Sequence, residues 1–310
     1  MPQLNPKIAP WLADLHKQIE VLKANGYKAT AIGAREGVVN VTRSFIKESP
    51  AIAWVNDELV YGPEYAVPVR IYHPKPQEAL PVAVFYHGGG HAAGSVQVYD
   101  PICRKIALAS EHIVVSVEYR LSPENPYPQG LMDAFTAARG VWDALDRRKL
   151  NYTEKLSLIG DSAGGALAAS VTSRAQFEHG LNIANQVLIY PCLDYTLRQP
   201  SMEENADGYF LTRERIGWYF DNYFHHSEDR YQASPLYGQF TSGLPRTLVV
   251  SAGFDPLRDE AAQYVEKLKE AGIPHEHIFY DDLVHAFLFM EDMLKEECAS
   301  LYSAIGRFLA

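Results

Sequence analysis

Short apolar and β-branched runs recur along the chain at residues 82–86, 113–118, 156–159, 186–190, 247–251 and 276–280, separated by longer stretches with helical spacing. Runs of this length between helices are the mark of strands buried on both faces. The pattern therefore predicts a βαβ alternation and a mostly parallel sheet with helices on both sides. Two earlier runs, 52–60 and 67–72, flank Tyr61-Gly62-Pro63-Glu64 and predict an antiparallel hairpin at one edge, for about eight strands in all. Helices are predicted over 132–145, 163–175, 256–271 and 286–309. The third opens on Pro256 with Asp259 and Glu260 in its first turn, and closes at Ala271-Gly272 with Lys267 and Lys269 nearby, so both ends complement the helix dipole.

Two segments fall outside this alternation. Residues 1–48 carry helically spaced Ile8, Leu12, Leu15, Ile19 and Leu22, and residues 195–232 interrupt the strand series with Tyr195, Tyr209, Phe210, Trp218, Tyr219, Phe220, Tyr223, Phe224 and Tyr231. Together they predict an α-helical cap laid over one edge of the sheet, with the core in two parts, 49–194 and 233–310. No internal repeat or low-complexity linker divides the chain further.

Composition narrows the classes. With 310 residues, 47% hydrophobic and 21% charged, the chain fits one large α/β domain plus a small accessory element. A formal charge of -10 repels nucleic-acid phosphates and anionic membranes. No apolar run reaches the roughly 18 residues of a membrane span, and Met1-Pro2-Gln3-Leu4-Asn5-Pro6 lacks the features of a secretory signal, so a cytoplasmic location is expected. Cys103, Cys192 and Cys298 stand far apart and suggest neither a disulfide framework nor a zinc knuckle.

Chemistry enters with Gly160-Asp161-Ser162-Ala163-Gly164, which follows the run at 156–159 and precedes an alanine-rich helix. A serine on a strained strand-to-helix turn needs small neighbours. Such a turn lifts the hydroxyl above the sheet and leaves the Ala163 N–H at a helix N-terminus, where negative charge is stabilised. The motif alone turns up by chance in about one chain of this length in twelve. His87-Gly88-Gly89-Gly90, directly after the run at 82–86, is rarer, and its glycines let successive N–H groups converge on one oxyanion. A serine nucleophile then requires a base and an acid in the order Ser, acid, His. Asp255 and His285 each follow a late strand, where open sheets place their sites. Asp259, inside a helix, and Asp282, three residues from His285, are the weaker acids. His275 and His277 share a strand face, but no third ligand accompanies them, so no metal site is expected.

These motifs, with Asp255-Pro256-Leu257-Arg258-Asp259-Glu260, His285-Ala286-Phe287 and Glu118-Tyr119-Arg120-Leu121-Ser122-Pro123-Glu124, resemble the bacterial hormone-sensitive-lipase-like esterases of the α/β-hydrolase superfamily over about residues 50–290. The resemblance implies an eight-stranded α/β-hydrolase fold with a helical cap, and a triad of Ser162, Asp255 and His285. It also implies oxyanion donors from Gly89, Gly90 and Ala163, with Gly88 a further candidate, and hydrolysis of short-chain or aryl carboxylic esters without a cofactor. His91 stands where the family often has an aromatic, and with Tyr195, Tyr209, Phe210 and Trp218 it is assigned to the substrate pocket. Ala286 stands where the family commonly has glycine, a change that a backbone outside the left-handed region would tolerate. A small-molecule ester is the expected partner, and the resemblance makes a homodimer through the last strand, around 275–282, an expectation. Amidase or acyltransferase chemistry on the same triad, a receptor with an incomplete triad and a metal-dependent hydrolase are the rival readings.

Overall fold

The computed structural model describes residues 3–310. Its strands are β1 (Trp54–Tyr61), β2 (Ala66–His73), β3 (Leu80–Tyr86), β4 (Ile113–Val117), β5 (Tyr152–Asp161), β6 (Ile183–Ile189), β7 (Arg246–Phe254) and β8 (His275–Val284). They form one eight-stranded sheet in the order β1-β2-β4-β3-β5-β6-β7-β8. The β1–β2 hairpin is antiparallel, and β2 meets β4 antiparallel. Every later pairing is parallel. β3 therefore lies between β4 and β5, directly beside β5, although β4 comes between them in the chain.

Each central strand is apolar on both faces, as β4 with its five buried residues illustrates, and helices cover both sides. One layer packs against Val84, Leu158 and Val249; the other buries Phe85, Ile159 and Val250. The helices are α1 (Ala9–Ala24), α2 (Ala31–Phe45), α3 (Val96–Ser110), α4 (Gln129–Arg139), α5 (Val141–Arg147), α6 (Ala163–Ala175), α7 (Pro200–Glu204), α8 (Arg213–Tyr223), α9 (Arg230–Ala233), α10 (Arg258–Glu270) and α11 (Lys295–Leu309).

Three helix predictions need correction. The stretch 132–145 is two helices broken at Gly140, whose place against Val60 leaves no room for a side chain: a Cβ there would lie 2.5 Å from Val60 Cγ1. The helix predicted from Pro256 starts at Arg258, because the Asp255 carboxylate takes the Leu257 N–H at 2.9 Å and holds the entry outside helical geometry. The stretch 286–309 begins as a 3₁₀ turn, Phe287–Met290, with all four side chains buried. An α-helix on the core buries only one stripe, so α11 starts at Lys295.

The two segments outside the alternation meet each other. Trp11 of α1 lies 5.6 Å from the Phe210 ring, and His16 reaches the Tyr209 carbonyl at 3.3 Å. Both segments lie against loops at the C-terminal ends of the parallel strands, through contacts of Arg35 with Ala92 and of Tyr219 with Gly90.

Candidate active site

Ser162 sits between β5 and α6 with φ +53° and ψ -119°, a positive-φ conformation strained for any residue but glycine. The flanking glycines are forced by crowding. A Cβ at Gly160 would meet the Gly164 carbonyl at 2.1 Å, and one at Gly164 would meet the Tyr86 carbonyl at 2.0 Å. The turn is held by the Ser162 N–H to the Ile189 carbonyl, 2.9 Å, and by the Cys192 N–H to the Ser162 carbonyl, 3.0 Å. These bonds aim the hydroxyl at His285, whose Nε2 stands 2.9 Å from Ser162 Oγ.

His285 follows β8, and its Nδ1 is 2.8 Å from Asp255 Oδ2. Asp255 and His285 are almost fully buried, at 1% and 5% exposure, so water does not dilute their interaction. The Asn205 amide donates to the Asp255 carbonyl at 3.0 Å, and Tyr190 packs its ring edge 4.9 Å from the imidazole. The two rival acids are engaged elsewhere. Asp259 accepts the Ser201 N–H at 2.8 Å, and Asp282 accepts the Asn5 side-chain amide at 2.6 Å. His277 bonds Ser251 at 2.8 Å.

The glycine-rich loop leaves β3 beside the elbow. Among the described residues no acceptor occupies the N–H of Gly89 or Gly90, and Ala163, as the first residue of α6, has an amide with no partner in its own helix. Gly88 is a correction: its N–H is spent on Asp161 Oδ1 at 2.7 Å and on the Tyr99 hydroxyl at 2.9 Å, so it is not available to an oxyanion. Tyr99 also donates to Asp161 Oδ2 at 2.9 Å. Burial pushes the Asp161 carboxyl up to about 7, against the pull of these two donors.

The pocket assignment needs two corrections of the same kind. His91 and Tyr195 are 1% and 3% exposed and present almost no surface to a ligand. The His91 ring stacks on Tyr223 at 3.9 Å and its Nε2 bonds the Tyr195 hydroxyl at 3.0 Å, which turns it into the aromatic cluster of α8. Tyr209 lies against Phe254 at 4.9 Å, Phe210 against Trp11, and Trp218 edge-on to Tyr219 at 5.2 Å. The ring that lies on the glycine loop is Tyr219: a Cβ on Gly90 would fall 2.3 Å from its Cγ. Tyr219 stood in the aromatic stripe, but nothing in its spacing set it apart. Ala286 takes φ +58°, the left-handed conformation that its methyl disfavours. Arg35 and Asp161 were not foreseen as contacts of the loop; only their charge, unusual so close to an apolar helix face and a buried turn, could have marked them.

Comparison with known proteins gives the family of the chain. The sequence pattern of a family described as the alpha/beta hydrolase fold matches residues 83–289. Carboxylic ester hydrolase LipN of Mycobacterium tuberculosis is 35% identical over 76% of this chain, which spans 64% of LipN. An arylesterase of Saccharolobus solfataricus is 30% identical over 92% of both chains. The solved structure of a hyperthermophilic esterase from Pyrobaculum calidifontis superposes with a TM-score of 0.86 at 32% identity, covering 99% of each chain.

Proposed function

The chain belongs to the α/β-hydrolase family and is a carboxylic ester hydrolase, and from that premise we propose that Ser162 is its nucleophile, His285 its general base and acid, and Asp255 the group that orients the imidazole. The observation that carries the proposal is the unbroken line from Ser162 Oγ through His285 to Asp255 at 2.9 and 2.8 Å.

In the first step Ser162 Oγ attacks the ester carbonyl carbon as His285 Nε2 takes its proton. The carbonyl electron pair moves to oxygen, which the Gly89, Gly90 and Ala163 N–H groups receive. Asp255 keeps the remaining imidazole proton on Nδ1 and stabilises the cation. The tetrahedral species collapses, His285 returns the proton to the leaving alcohol, and the acyl group stays on Ser162. Water, deprotonated by His285, repeats the sequence and releases the acid.

The aromatic ring of Tyr219 over Gly90 supports small acyl or aryl esters as the substrates, since it narrows the space beside the oxyanion donors. The test is hydrolysis of p-nitrophenyl acetate, butyrate, octanoate and palmitate by the wild type and by Ser162→Ala. Turnover of the short esters and a loss of about 10⁴-fold or more in the variant are expected. Wild-type activity in Ser162→Ala would end the assignment, and best turnover on palmitate would end the small-ester reading.

A further inference from the structure

The loop that carries Gly89 and Gly90 is tied down just past Gly90 by Arg35, 57 residues earlier in the chain than the Ala92 it holds. Arg35 in α2 donates from Nε to the Ala92 carbonyl at 2.9 Å and from Nη2 to the Ser122 carbonyl at 3.1 Å, while its outer edge pairs with Glu124, Nη1 to Oε1 at 3.0 Å. Ser122 in turn donates its N–H at 2.9 Å and its hydroxyl at 3.1 Å to the His91 carbonyl. Two successive carbonyls are thus held from one side. The N–H groups of Ala92 and Ala93 turn back on the Gly89 carbonyl, at 3.1 and 2.9 Å.

A trans peptide is planar, so fixing its C=O fixes the N–H of the next residue in the opposite direction. Arg35 on the Ala92 carbonyl therefore orients the Ala93 N–H, and Ser122 on the His91 carbonyl orients the Ala92 N–H. Both of these N–H groups seize the Gly89 carbonyl, which leaves the Gly90 N–H facing the other way. Three linked peptide planes connect a guanidinium in the N-terminal helices to an oxyanion donor. A planar guanidinium fork reaches two carbonyls and a carboxylate at once, which a single ammonium cannot do in the same geometry.

We propose that Arg35 is a positioning residue for the oxyanion loop, setting the direction of the Gly90 N–H through Ala92 and Ser122. The proposal rests on the reading of Gly90 as an oxyanion donor. Its competitor is that Arg35 merely docks α2 through the ion pair with Glu124, a pair whose side chains are 33% and 55% exposed and which contributes little in water.

The experiment compares Arg35→Met, Arg35→Lys, Glu124→Gln and Ser162→Ala with the wild type. It measures kcat and KM on p-nitrophenyl butyrate, the inhibition constant of butyl trifluoromethyl ketone, and thermal melting by circular dichroism. The ketone reports on the oxyanion site directly, because Ser162 Oγ adds to its carbonyl carbon and its oxygen becomes the anion. Arg35→Met should lower kcat about 10- to 100-fold with KM within about threefold, and should weaken the ketone by the same factor as kcat. Arg35→Lys should fall between, and Glu124→Gln should stay within about threefold of wild type on every readout. Unchanged kcat and ketone binding in Arg35→Met would overturn the proposal, as would a rise in KM alone or an equal loss in Glu124→Gln. Should Arg35→Met fail to fold, the Lys variant is judged by the same three criteria. An active Ser162→Ala would overturn the triad reading itself, whereas a dead Ser162→Ala beside a normal Arg35→Met would overturn only the role of Arg35.

Discussion

Alanine at position 90 tests how tightly the ring of Tyr219 and the oxyanion loop are fitted to each other. Its Cβ would lie 2.3 Å from Tyr219 Cγ and 2.4 and 2.6 Å from the two Cδ atoms, about 1 Å inside the 3.4 Å at which ordinary contact begins. Flipping the ring about its own axis does not move Cγ, so relief requires a new χ1 rotamer, a shift of α8, or a shift of the loop. The loop also resists on its own account, since φ is +62° and an alanine there costs about 1 kcal/mol. A displacement of about 1 Å at reacting groups lowers the rate about 100-fold, so Gly90→Ala should reduce kcat/KM by about that factor. Truncating the ring removes the obstacle. Gly90→Ala combined with Tyr219→Ala should therefore recover at least about tenfold relative to the product of the single effects, a coupling of about 1.4 kcal/mol. The assay is kcat and KM on p-nitrophenyl butyrate for the four proteins of the cycle, with melting curves to establish that each is folded. Effects that simply multiply would refute the claim that Tyr219 is what an alanine at 90 meets.

Two further predictions concern stability. His87 and His91 are fully buried, and burial holds their imidazoles down to about 4 and about 3, with His87 adding to the effect on His91. The unfolded chain therefore binds protons on both below about pH 6.5 while the folded chain does not, and the stability they contribute above that pH is lost as pH falls toward 4 and then 3. His91→Phe should flatten the acid limb of a urea-midpoint profile between pH 6.5 and 4 by up to about 1.4 kcal/mol per pH unit, and a limb parallel to wild type would show that His91 is not held neutral. Ala286→Gly should relieve the left-handed strain beside His285, raising Tm by about 2 °C with activity retained; a lower Tm would mean that the methyl packs more favourably than its backbone is strained.

The central strands were legible because a parallel strand buried on both faces reads as a short, mostly apolar run; the equally apolar 286–290 is a buried 3₁₀ turn, and β8, at the sheet edge with Phe279 half-exposed, shows such a run only in part. Ser162, Asp255 and His285, the proposed triad, could be singled out because each follows a strand, β5, β7 and β8 respectively. Less could be read where the deciding contact is remote in sequence. The break at Gly140 depends on Val60 of β1, and the diversion of the Gly88 N–H depends on Asp161, 73 residues away. His91 was assigned to the pocket from its neighbours in the chain, whereas its partners Tyr195 and Tyr223 come from a segment whose docking no periodicity describes. The helix α3 went unpredicted although Ser95 accepts the Val98 N–H as its cap and Val96, Tyr99, Ile102 and Ile106 make a buried stripe; Pro101 within it obscured the pattern.

The interchange of β3 and β4 in the sheet has a geometric result. Two neighbouring strands are only about 4.8 Å apart, so the chain leaving β3 and the chain leaving β5 emerge side by side without either loop having to reach. With the strands laid down in sequence order, β4 would have stood between them and the glycine turn would have had to bridge roughly twice that distance. The separation between Ser162 and the amides of Gly89 and Gly90, the proposed oxyanion donors, is thus set by backbone hydrogen-bond spacing, the least adjustable length in the molecule, while the chain between the two strands makes its excursion to β4 on the far side of β3.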